Sequence, residues 1–304
     1  MSDGSREVDL LNERYTGFRQ LDVADELINS LYANDVIDVW DKRLAFHPNL
    51  YLELKSLTNE KHTILAKLDS SGEHIKRLFP TKASGVEPRN REQVFALDAL
   101  MDDSIPVVVL SGVAGSGKTL LALAAAFHKV NQGKYEKVIL TRPMSEVGKY
   151  KLGALPGDVD EKFSPYLINY MSNLECLVGA KHTQDLMSQS KFEIMPLQLI
   201  RGASFHNALV LADEMQVCNH MEILTLGTRI GDGSKLVLMG DLSQRDSNIG
   251  RKETGMYYIT HNSSFIGSPY SAQLELQQCI RSGVSKLFID IFNEEDDNKR
   301  DETM

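Results

Sequence analysis

A glycine-rich segment between an apolar run and an alanine-rich stretch most limits what this chain can fold into. Residues 107–119 read VVVLSGVAGSGKT, and 112–119 satisfy the pattern G-x-x-x-x-G-K-[ST]. The run VVVL predicts a buried strand, and LLALAAAFHKV predicts a helix because alanine and leucine are strong helix formers. A strand, such a loop and a helix in this order predict a phosphate-binding loop, whose backbone N–H groups point at the phosphate. The alternative, a glycine turn that matches by chance, is disfavoured by both flanks.

Each part of this loop has an expected role toward a nucleoside triphosphate. Lys118 is expected to reach the β- and γ-phosphates, and the Thr119 hydroxyl to ligate magnesium. The start of the following helix adds partial positive charge. We expect Lys118 to be exposed, so that its substitution would leave the core intact. The predicted nucleotide-binding residues of the loop are Gly112, Val113, Ala114, Gly115, Ser116, Gly117, Lys118, Thr119 and Leu120.

Apolar runs that alternate with helical stretches predict the fold around this loop. Continuous apolar runs spaced by helices are typical of parallel strands that are buried on both faces. The sequence therefore predicts an α/β domain with a mostly parallel sheet flanked by helices. The predicted strands are 107–110, 138–140, 192–194, 208–213, 235–241 and 273–276.

The first 81 residues have a different pattern, which predicts a small α+β module. Residues 1 to about 40 are expected to be helical, whereas LYLELKSL at 50–57 alternates like a half-buried strand. Two further runs, HTILAKL and EHIKRLF, flank a polar stretch that ends in glycine and predict a hairpin. KASGVEP at 82–88 is the expected linker.

Acidic and polar residues follow two of the predicted strands, at the edge where open α/β sheets bind their ligands. The run ALVLADEMQ contains Asp213, which would hold magnesium, and Glu214, which would orient or deprotonate an attacking water. The run KLVLMGDLSQRD contains Asp241, followed by Gln244, which could contact the γ-phosphate. Helix capping by the acidic pair, and an ordinary strand-to-loop transition at Asp241, are the alternatives.

A polar pair precedes the glycine-rich loop, at the entrance of the predicted helix QVFALDALM. In RNREQ, Asn90 and Gln93 lie three residues apart. A glutamine amide offers both a donor and an acceptor, so Gln93 could recognise an adenine edge. Asn90 could equally cap the helix. Residues 82–92 are therefore interpreted as a linker with an adenine-side motif.

Composition and charge narrow the classes of protein further. With 304 residues, 42% apolar and 25% charged, the chain has the profile of a globular protein, and its apolar runs are too short to span a bilayer. The three cysteines are far apart and the charged N-terminus is no signal peptide, so we expect a cytoplasmic protein. The net charge of −9 gives no support to nucleic-acid binding but leaves room for a local basic groove. Residues 290–304, with seven acidic and two basic side chains, are expected to form a disordered tail.

Taken together, these stretches resemble the PhoH family of P-loop ATPases, which is related to superfamily-one helicases. The resemblance runs from about residue 85 to 289 and includes EPRNREQVFALDAL, LTRP, KLGALPGDVDEKFSPYL, LIRGASFHNALVLADEMQ, TRIGDGSKLVLMGDLSQRD and CIRSGV. It implies a RecA-like ATPase domain over 93–289, ATP hydrolysis that serves RNA or single-stranded nucleic acid, and ring-shaped oligomers. Some relatives carry a nuclease-type PIN domain in front, but the residues before the linker show no acidic cluster of that kind. Nuclease activity is therefore not carried over from those relatives, and the chain looks like a compact, phage-type member of the family.

The resemblance also implies roles for three arginines. Arg142, in TRP, sits where helicase-like relatives approach the nucleic-acid strand, and Arg201, in IRGASF, falls in another shared stretch that we assign to nucleic-acid binding. Arg281, in IRSG, resembles the arginine that meets the γ-phosphate in its own subunit or in a neighbour's. For each of them the alternative is a surface salt bridge or a strand cap.

The leading hypothesis is magnesium-dependent ATP hydrolysis coupled to binding or remodelling of single-stranded RNA or DNA. Glu214 would position the water, while Lys118, Gln244 and Arg281 would act at the γ-phosphate, in a homo-oligomer such as a hexameric ring. The alternative is a non-motor ATP-binding module that changes protein partners when nucleotide binds. A small-molecule kinase is a third hypothesis, which the acidic pair disfavours. Steady ATP turnover would distinguish hydrolysis from binding alone.

Overall fold

The computed structural model describes residues 15–41, 46–143, 159–243 and 253–280, most of which surround a six-stranded sheet. All neighbours in this sheet are parallel, in the order β11-β6-β10-β9-β7-β8. The strands are β6 (Val107–Gly112), β7 (Lys137–Thr141), β8 (Phe192–Ile194), β9 (Ala208–Ala212), β10 (Lys235–Gly240) and β11 (Ser271–Leu276). Each of the six predicted apolar runs forms a strand, and the predicted α/β fold with a parallel sheet is confirmed.

Helices cover both faces of this sheet. Neighbouring side chains of a strand point to opposite faces, and accordingly Val108 and Leu110 belong to one apolar cluster and Val109 to the other. The first cluster includes α2 (Arg91–Met101), α3 (Lys118–Asn131), α4 (Val159–Val178) and α5 (Ala180–Ser188). The second includes a 3₁₀ helix (Leu197–Gly202), α6 (His220–Gly227), α7 (Gly255–Thr260) and α8 (Ser263–Ile266). Among the described helices, none has the length and apolar character needed to cross a membrane.

The strand order determines where the predicted functional residues meet. Strand β6 leads into the glycine-rich loop and α3, β10 lies beside β6, and β9 lies beside β10. Because these strands are parallel, the loop after β6, the acidic pair after β9 and the aspartate after β10 lie at the same carboxyl-terminal edge.

A second, five-stranded sheet forms the N-terminal part of the described chain, in the order β1-β3-β4-β5-β2. Its strands are β1 (Phe18–Val23), β2 (Val36–Asp38), β3 (Tyr51–Ser56), β4 (Thr63–Leu68) and β5 (His74–Arg77). Strand β1 is parallel to β3, and the other neighbours are antiparallel. The strand and the hairpin predicted in this region are confirmed as β3 and as β4–β5.

The prediction that residues 1 to about 40 are helical is wrong for much of the part that the structure describes. Helix α1 spans only Asp25–Asn34 and lies between β1 and β2. Strand β1 forms because its backbone pairs along its whole length with β3, a long-range partner that no local pattern reveals. Helix α1 ends where Asp35 adopts a φ of 59°, and its N–H donates to the Leu31 carbonyl.

The N-terminal sheet packs against α2. The Tyr51 hydroxyl donates to Asp98 at 2.8 Å, and Lys67 Nζ donates to Asp98 and Asp102, both at 2.6 Å. Tyr51 is fully buried in the same apolar cluster as α2 and α3. Helix α2, whose first turn carries the predicted adenine-side residues, is therefore held from the side of the N-terminal sheet.

Candidate nucleotide-binding site

The loop between β6 and α3 has a backbone that only glycine adopts easily. Gly112, Gly115 and Gly117 have φ angles of 141°, 78° and 93°. A Cβ at Gly112 would lie 2.1 Å from the carbonyl oxygen of Leu276 on β11, so this position also requires glycine because of the neighbouring strand. A Cβ at Gly117 would lie 2.8 Å from Gln93 Nε2. The glycines are thus required by backbone conformation and by the close approach of two other elements.

The carbonyl groups of the loop are tied to the surrounding protein. The Ser116 carbonyl accepts from Gln93 Nε2 at 2.9 Å, and the Gly115 carbonyl accepts from the Ile280 N–H at 3.0 Å. Within the described chain, by contrast, no acceptor is found for the N–H of Ala114, Gly115 or Gly117. Unbonded N–H groups beside a helix N-terminus form the kind of concave site that binds an anion.

Lys118 is buried, which corrects the expectation that it would be exposed. Its side chain donates from Nζ to the carbonyl oxygens of Gly112 and Val113 at 2.7 and 3.0 Å, and it is only 9% exposed. The physical reason is that the ammonium group of a folded-back lysine is satisfied by the carbonyl groups on the inside of the loop. The positive charge therefore lies within the loop, where a phosphate would need it.

The two residues predicted to bind magnesium, Thr119 and Asp213, form a hydrogen bond with each other. The Thr119 hydroxyl, in the first turn of α3, donates to Asp213 Oδ2 at 3.0 Å, although 94 residues separate the two positions. Burial, with the neighbouring Glu214 carboxylate, raises the pKa of Asp213. A hydroxyl and a poorly solvated carboxylate are oxygen donors that suit Mg²⁺, which usually takes only one or two protein ligands beside phosphates. Among the described residues, no group of three or more His, Cys, Asp or Glu side chains could hold a metal ion.

Glu214 lies beside this pair in a left-handed backbone conformation, with a φ of 58°. Its N–H donates to Asp213 Oδ1 at 3.0 Å, and its carboxylate accepts from Gln216 Nε2 at 2.7 Å. Gln216 Oε1 in turn accepts from the Asp241 N–H at 3.2 Å. The buried Gln216 amide therefore joins the acidic strand end of β9 to the strand end of β10.

Gln216 is a residue of the site that the sequence-based assignment omits. The fourth position of the DE-x-Q stretch was the available signal. Its importance comes from packing as well as hydrogen bonding, because a Cβ at Gly240 would lie 2.6 Å from Gln216 Oε1. Asp241 itself uses Oδ1 to accept from the N–H of Ser243 at 2.9 Å. Gln244 lies outside the described residues.

A cavity of about 700 Å³ opens beside the loop. Residues 85–89, interpreted from sequence as part of a linker, form one wall, and Gln93, Asn173 and Ile280 contribute to the others. The Asn90 side chain caps α2 by accepting from the Gln93 N–H at 2.9 Å, so the capping alternative is confirmed for Asn90. Gln93 is buried, and its Oε1 accepts from the Arg89 N–H at 2.9 Å.

The predicted arginines occupy different surroundings. Arg142 follows β7 at the same edge as the acidic pair and is half-buried. Its carbonyl accepts from the Leu197 N–H at 3.3 Å, which ties it to the start of the 3₁₀ helix that carries Arg201. Arg201 is exposed. Arg281, together with the stretch GALPGD, lies outside the described residues.

The parallel six-stranded sheet and the geometry of the glycine-rich loop after β6 are those of a P-loop nucleotide-binding protein. PhoH-like proteins match residues 85–293 of the chain. The chain is 35% identical over 289 residues to Protein PhoH2 of Bacillus subtilis (strain 168), covering 92% of this chain and 65% of that protein. It is 33% identical over 289 residues to Protein PhoH2 of Mycolicibacterium smegmatis, covering 94% and 64%. The chain therefore belongs to the PhoH-like family, and it spans 64–65% of the length of these two relatives.

A solved structure with a similar arrangement is the Sulfolobus solfataricus SWI2/SNF2 ATPase core in complex with dsDNA. The TM-score is 0.39 with 13% sequence identity, and the match covers 63% of this chain and 39% of that chain.

Proposed function

We propose that this chain hydrolyses ATP with magnesium and couples hydrolysis to binding or remodelling of single-stranded RNA or DNA. One observation carries the proposal: the P-loop threonine contacts Asp213 at 3.0 Å while Glu214 follows directly in the chain. This arrangement supports the proposal because it brings together the loop predicted to bind phosphate, the pair predicted to bind magnesium and a candidate general base. Membership in the PhoH-like family supports the same conclusion.

Each residue of the site would have its own role in ATP hydrolysis. Thr119 and Asp213 would hold the magnesium ion, which neutralises phosphate charge when bound. Lys118 would exchange the loop carbonyls, which it contacts at 2.7 and 3.0 Å, for phosphate oxygens. Glu214 would accept the proton of the attacking water, and its bond from Gln216 would orient the carboxylate.

We assign the nucleic-acid contact to the surface near Arg142 and Arg201. The bond between the Arg142 carbonyl and the Leu197 N–H places the segment that carries Arg201 next to the strand end of β7. Arginine pairs well with backbone phosphates, and such contacts make binding weaken as salt rises. Filter binding of poly-RNA and single-stranded DNA at two salt concentrations tests this assignment, with Arg142→Ala and Arg201→Ala as variants.

We also propose that the active form is a homo-oligomer in the cytoplasm, with Arg281 meeting the γ-phosphate of a neighbouring subunit. A single RecA-like sheet leaves one side of the nucleotide open, and a neighbour could supply the missing charge. The three free cysteines fit a reducing compartment. Mixing inactive Arg281→Ala and Lys118→Ala proteins should restore part of the activity if subunits exchange. A fully active monomer in light scattering would exclude the oligomer.

The decisive experiment is the rate of ATP turnover with poly-RNA, with single-stranded DNA and without polymer. Stimulation by either polymer supports the proposal. A rate of ATP turnover that neither polymer changes would support ATP hydrolysis but contradict its coupling to nucleic acid. ATP binding without turnover would instead favour a switch module that changes protein partners.

A further inference from the structure

The start of helix α2 makes contacts that the proposed chemistry does not use. Glu92 is only 2% exposed, and its Oε2 accepts from the backbone N–H of Gln277 at 2.7 Å and of Gln278 at 3.4 Å. A buried carboxylate is costly unless hydrogen bonds satisfy it, and these two donors together with the helix N-terminus do so. Glu92 thereby holds the segment 277–280, which follows β11.

The same segment contacts the phosphate-binding loop. The Ile280 N–H donates to the Gly115 carbonyl at 3.0 Å, and Gln278 Oε1 accepts from Asn90 Nδ2 at 3.2 Å. The next residue of α2, Gln93, donates from Nε2 to the Ser116 carbonyl at 2.9 Å. Three parts of the chain, the start of α2, the segment 277–280 and the loop, are therefore joined pairwise by hydrogen bonds.

The bond from Gln93 has a direct consequence for phosphate binding. A peptide group is planar and trans, so its C=O and N–H point in opposite directions. When Gln93 holds the Ser116 carbonyl, the N–H of Gly117 in the same peptide group must point away from Gln93. Gly117 can follow because its φ of 93° is open to glycine. Gln93 thus orients one of the N–H groups expected to bind phosphate.

The orientation of the Gln93 amide follows from its partners. Its Oε1 accepts from the Arg89 N–H at 2.9 Å, and its Nε2 donates to the Ser116 carbonyl. A backbone N–H can only donate and a carbonyl can only accept, so rotating the amide by 180° would lose both bonds. The side chain is 5% exposed, and both of its polar atoms are bonded within the protein.

The C-terminal end of helix α2 is also fixed by hydrogen bonds, which stabilises the position of the whole helix. Lys235 Nζ, from β10, donates to the carbonyl oxygens of Ala99 and Asp102, both at 2.7 Å. These bonds satisfy carbonyl groups at the C-terminus of the helix, which otherwise lack partners. The first turn of α2 is therefore fixed relative to the central sheet.

We propose that Glu92 and Gln93 are positioning residues that hold the phosphate-binding loop in its triphosphate-accepting shape, so that Gln93 supports the triphosphate whichever base it carries. This inference rests on the proposed nucleotide site but not on hydrolysis. Glu92 acts through the segment 277–280 and the Gly115 carbonyl, and Gln93 acts through the Ser116 carbonyl.

Inorganic tripolyphosphate distinguishes a positioning role from base recognition because it has no base. We would measure the Kd of Mg·ATP for wild-type protein and for Gln93→Ala and Gln93→Met. For the same three proteins we would measure the constant with which magnesium tripolyphosphate competes against Mg·ATP binding. Loss of the buried hydrogen bonds should weaken both ligands by the same factor, about 5- to 10-fold. Weaker ATP binding with unchanged tripolyphosphate binding would overturn the role of Gln93 and show that it selects the base.

Hydrogen exchange tests Glu92. In Glu92→Ala, the peptide that covers residues 271–280 should exchange faster and tripolyphosphate should bind more weakly. Glu92→Gln, which retains an acceptor oxygen, should restore much of both properties. Glu60→Ala, in the exposed turn between β3 and β4, is the matched control. Unchanged exchange and binding in Glu92→Ala would remove Glu92 from the proposal.

A shorter acid keeps the Glu92 test usable if the alanine variant fails to fold. Glu92→Asp retains the charge but withdraws the carboxylate from the Gln277 N–H, and it should show the same faster exchange. These measurements report ligand binding or backbone hydrogen exchange, and none of them requires hydrolysis. If wild-type protein binds Mg·ATP and tripolyphosphate without hydrolysing ATP, the proposed function fails while the positioning roles are still decided.

Discussion

Replacing Glu214 by glutamine separates nucleotide binding from hydrolysis. The two side chains have nearly the same shape, and an amide oxygen in the place of Glu214 Oε2 would keep the 2.7 Å bond from Gln216. The substitution also removes a negative charge beside Asp213, whose pKa is raised by burial and by Glu214. The pKa of Asp213 should therefore move toward its ordinary value, so the carboxylate assigned to magnesium is not weakened.

The glutamine amide cannot accept a proton from water, and this sets the size of the effect. Loss of a general base typically slows a reaction by about 10²–10⁴-fold, which corresponds to about 3–5 kcal/mol in the barrier. We expect kcat to fall by that factor. The Kd of Mg·ATP should stay within about twofold of wild type, because the groups that bind phosphate and magnesium are unchanged.

The assay is phosphate release in a single turnover with excess protein, beside a binding titration with a fluorescent ATP analogue. Glu60→Gln, on an exposed turn of the N-terminal sheet, is the matched control because it removes the same charge from a side chain outside the site. Turnover of Glu214→Gln within about twofold of wild type, with normal binding, would refute the general-base assignment.

Three further substitutions test separate parts of the structure. Lys118→Ala should abolish ATP turnover in a phosphate-release assay while circular dichroism shows a folded protein, and normal turnover would exclude the P-loop assignment. Gly240→Ala places a Cβ 2.6 Å from Gln216 Oε1 and should lower the free energy of unfolding by about 1–3 kcal/mol in urea, whereas Gly227→Ala, with no atom within 4 Å of its Cβ, should not. Burial lowers the pKa of Lys235 from 10.5 to about 7. Between these two pH values the unfolded chain binds more protons than the folded chain, so the free energy of unfolding rises with pH. From pH 7 to 9 the free energy of unfolding, measured by urea titration, should rise by about 2 kcal/mol in wild type and should not rise in Lys235→Met. An equal rise in both proteins would show that burial does not lower the pKa of Lys235.

The central sheet could be predicted from the sequence because burial on both faces leaves continuous apolar runs. The run at 107–110 and the glycines after it define both a strand and its loop. The first strand of the N-terminal sheet could not be predicted in the same way. Residues Phe18–Val23 pair with β3, which lies about 30 residues further along the chain, and no period within the run itself records that partner.

The acidic pair illustrates how far residue chemistry reaches. The position of Asp213 and Glu214 near the glycine-rich loop was predictable, because both follow a buried strand and parallel strands end at one edge of the sheet. Their roles toward magnesium and water stay predictions. The burial of Lys118 was not, because its partners are the carbonyl groups of its own loop, which every sequence possesses. The support from Gln216 depends on the adjacency of β9 and β10, which is a property of topology.

The contacts around α2 show why supporting residues escape sequence patterns more often than reacting ones. Glu92 bonds backbone N–H groups 185 and 186 residues away, and those donors would be present whatever side chains stood at 277 and 278. Only the pairing of β11 with β6 brings that segment beside the loop. A residue that reacts must have a particular chemistry, so its type identifies it. A residue that holds the backbone needs only a donor or an acceptor in the right place, so the fold has to be known before its role can be assigned.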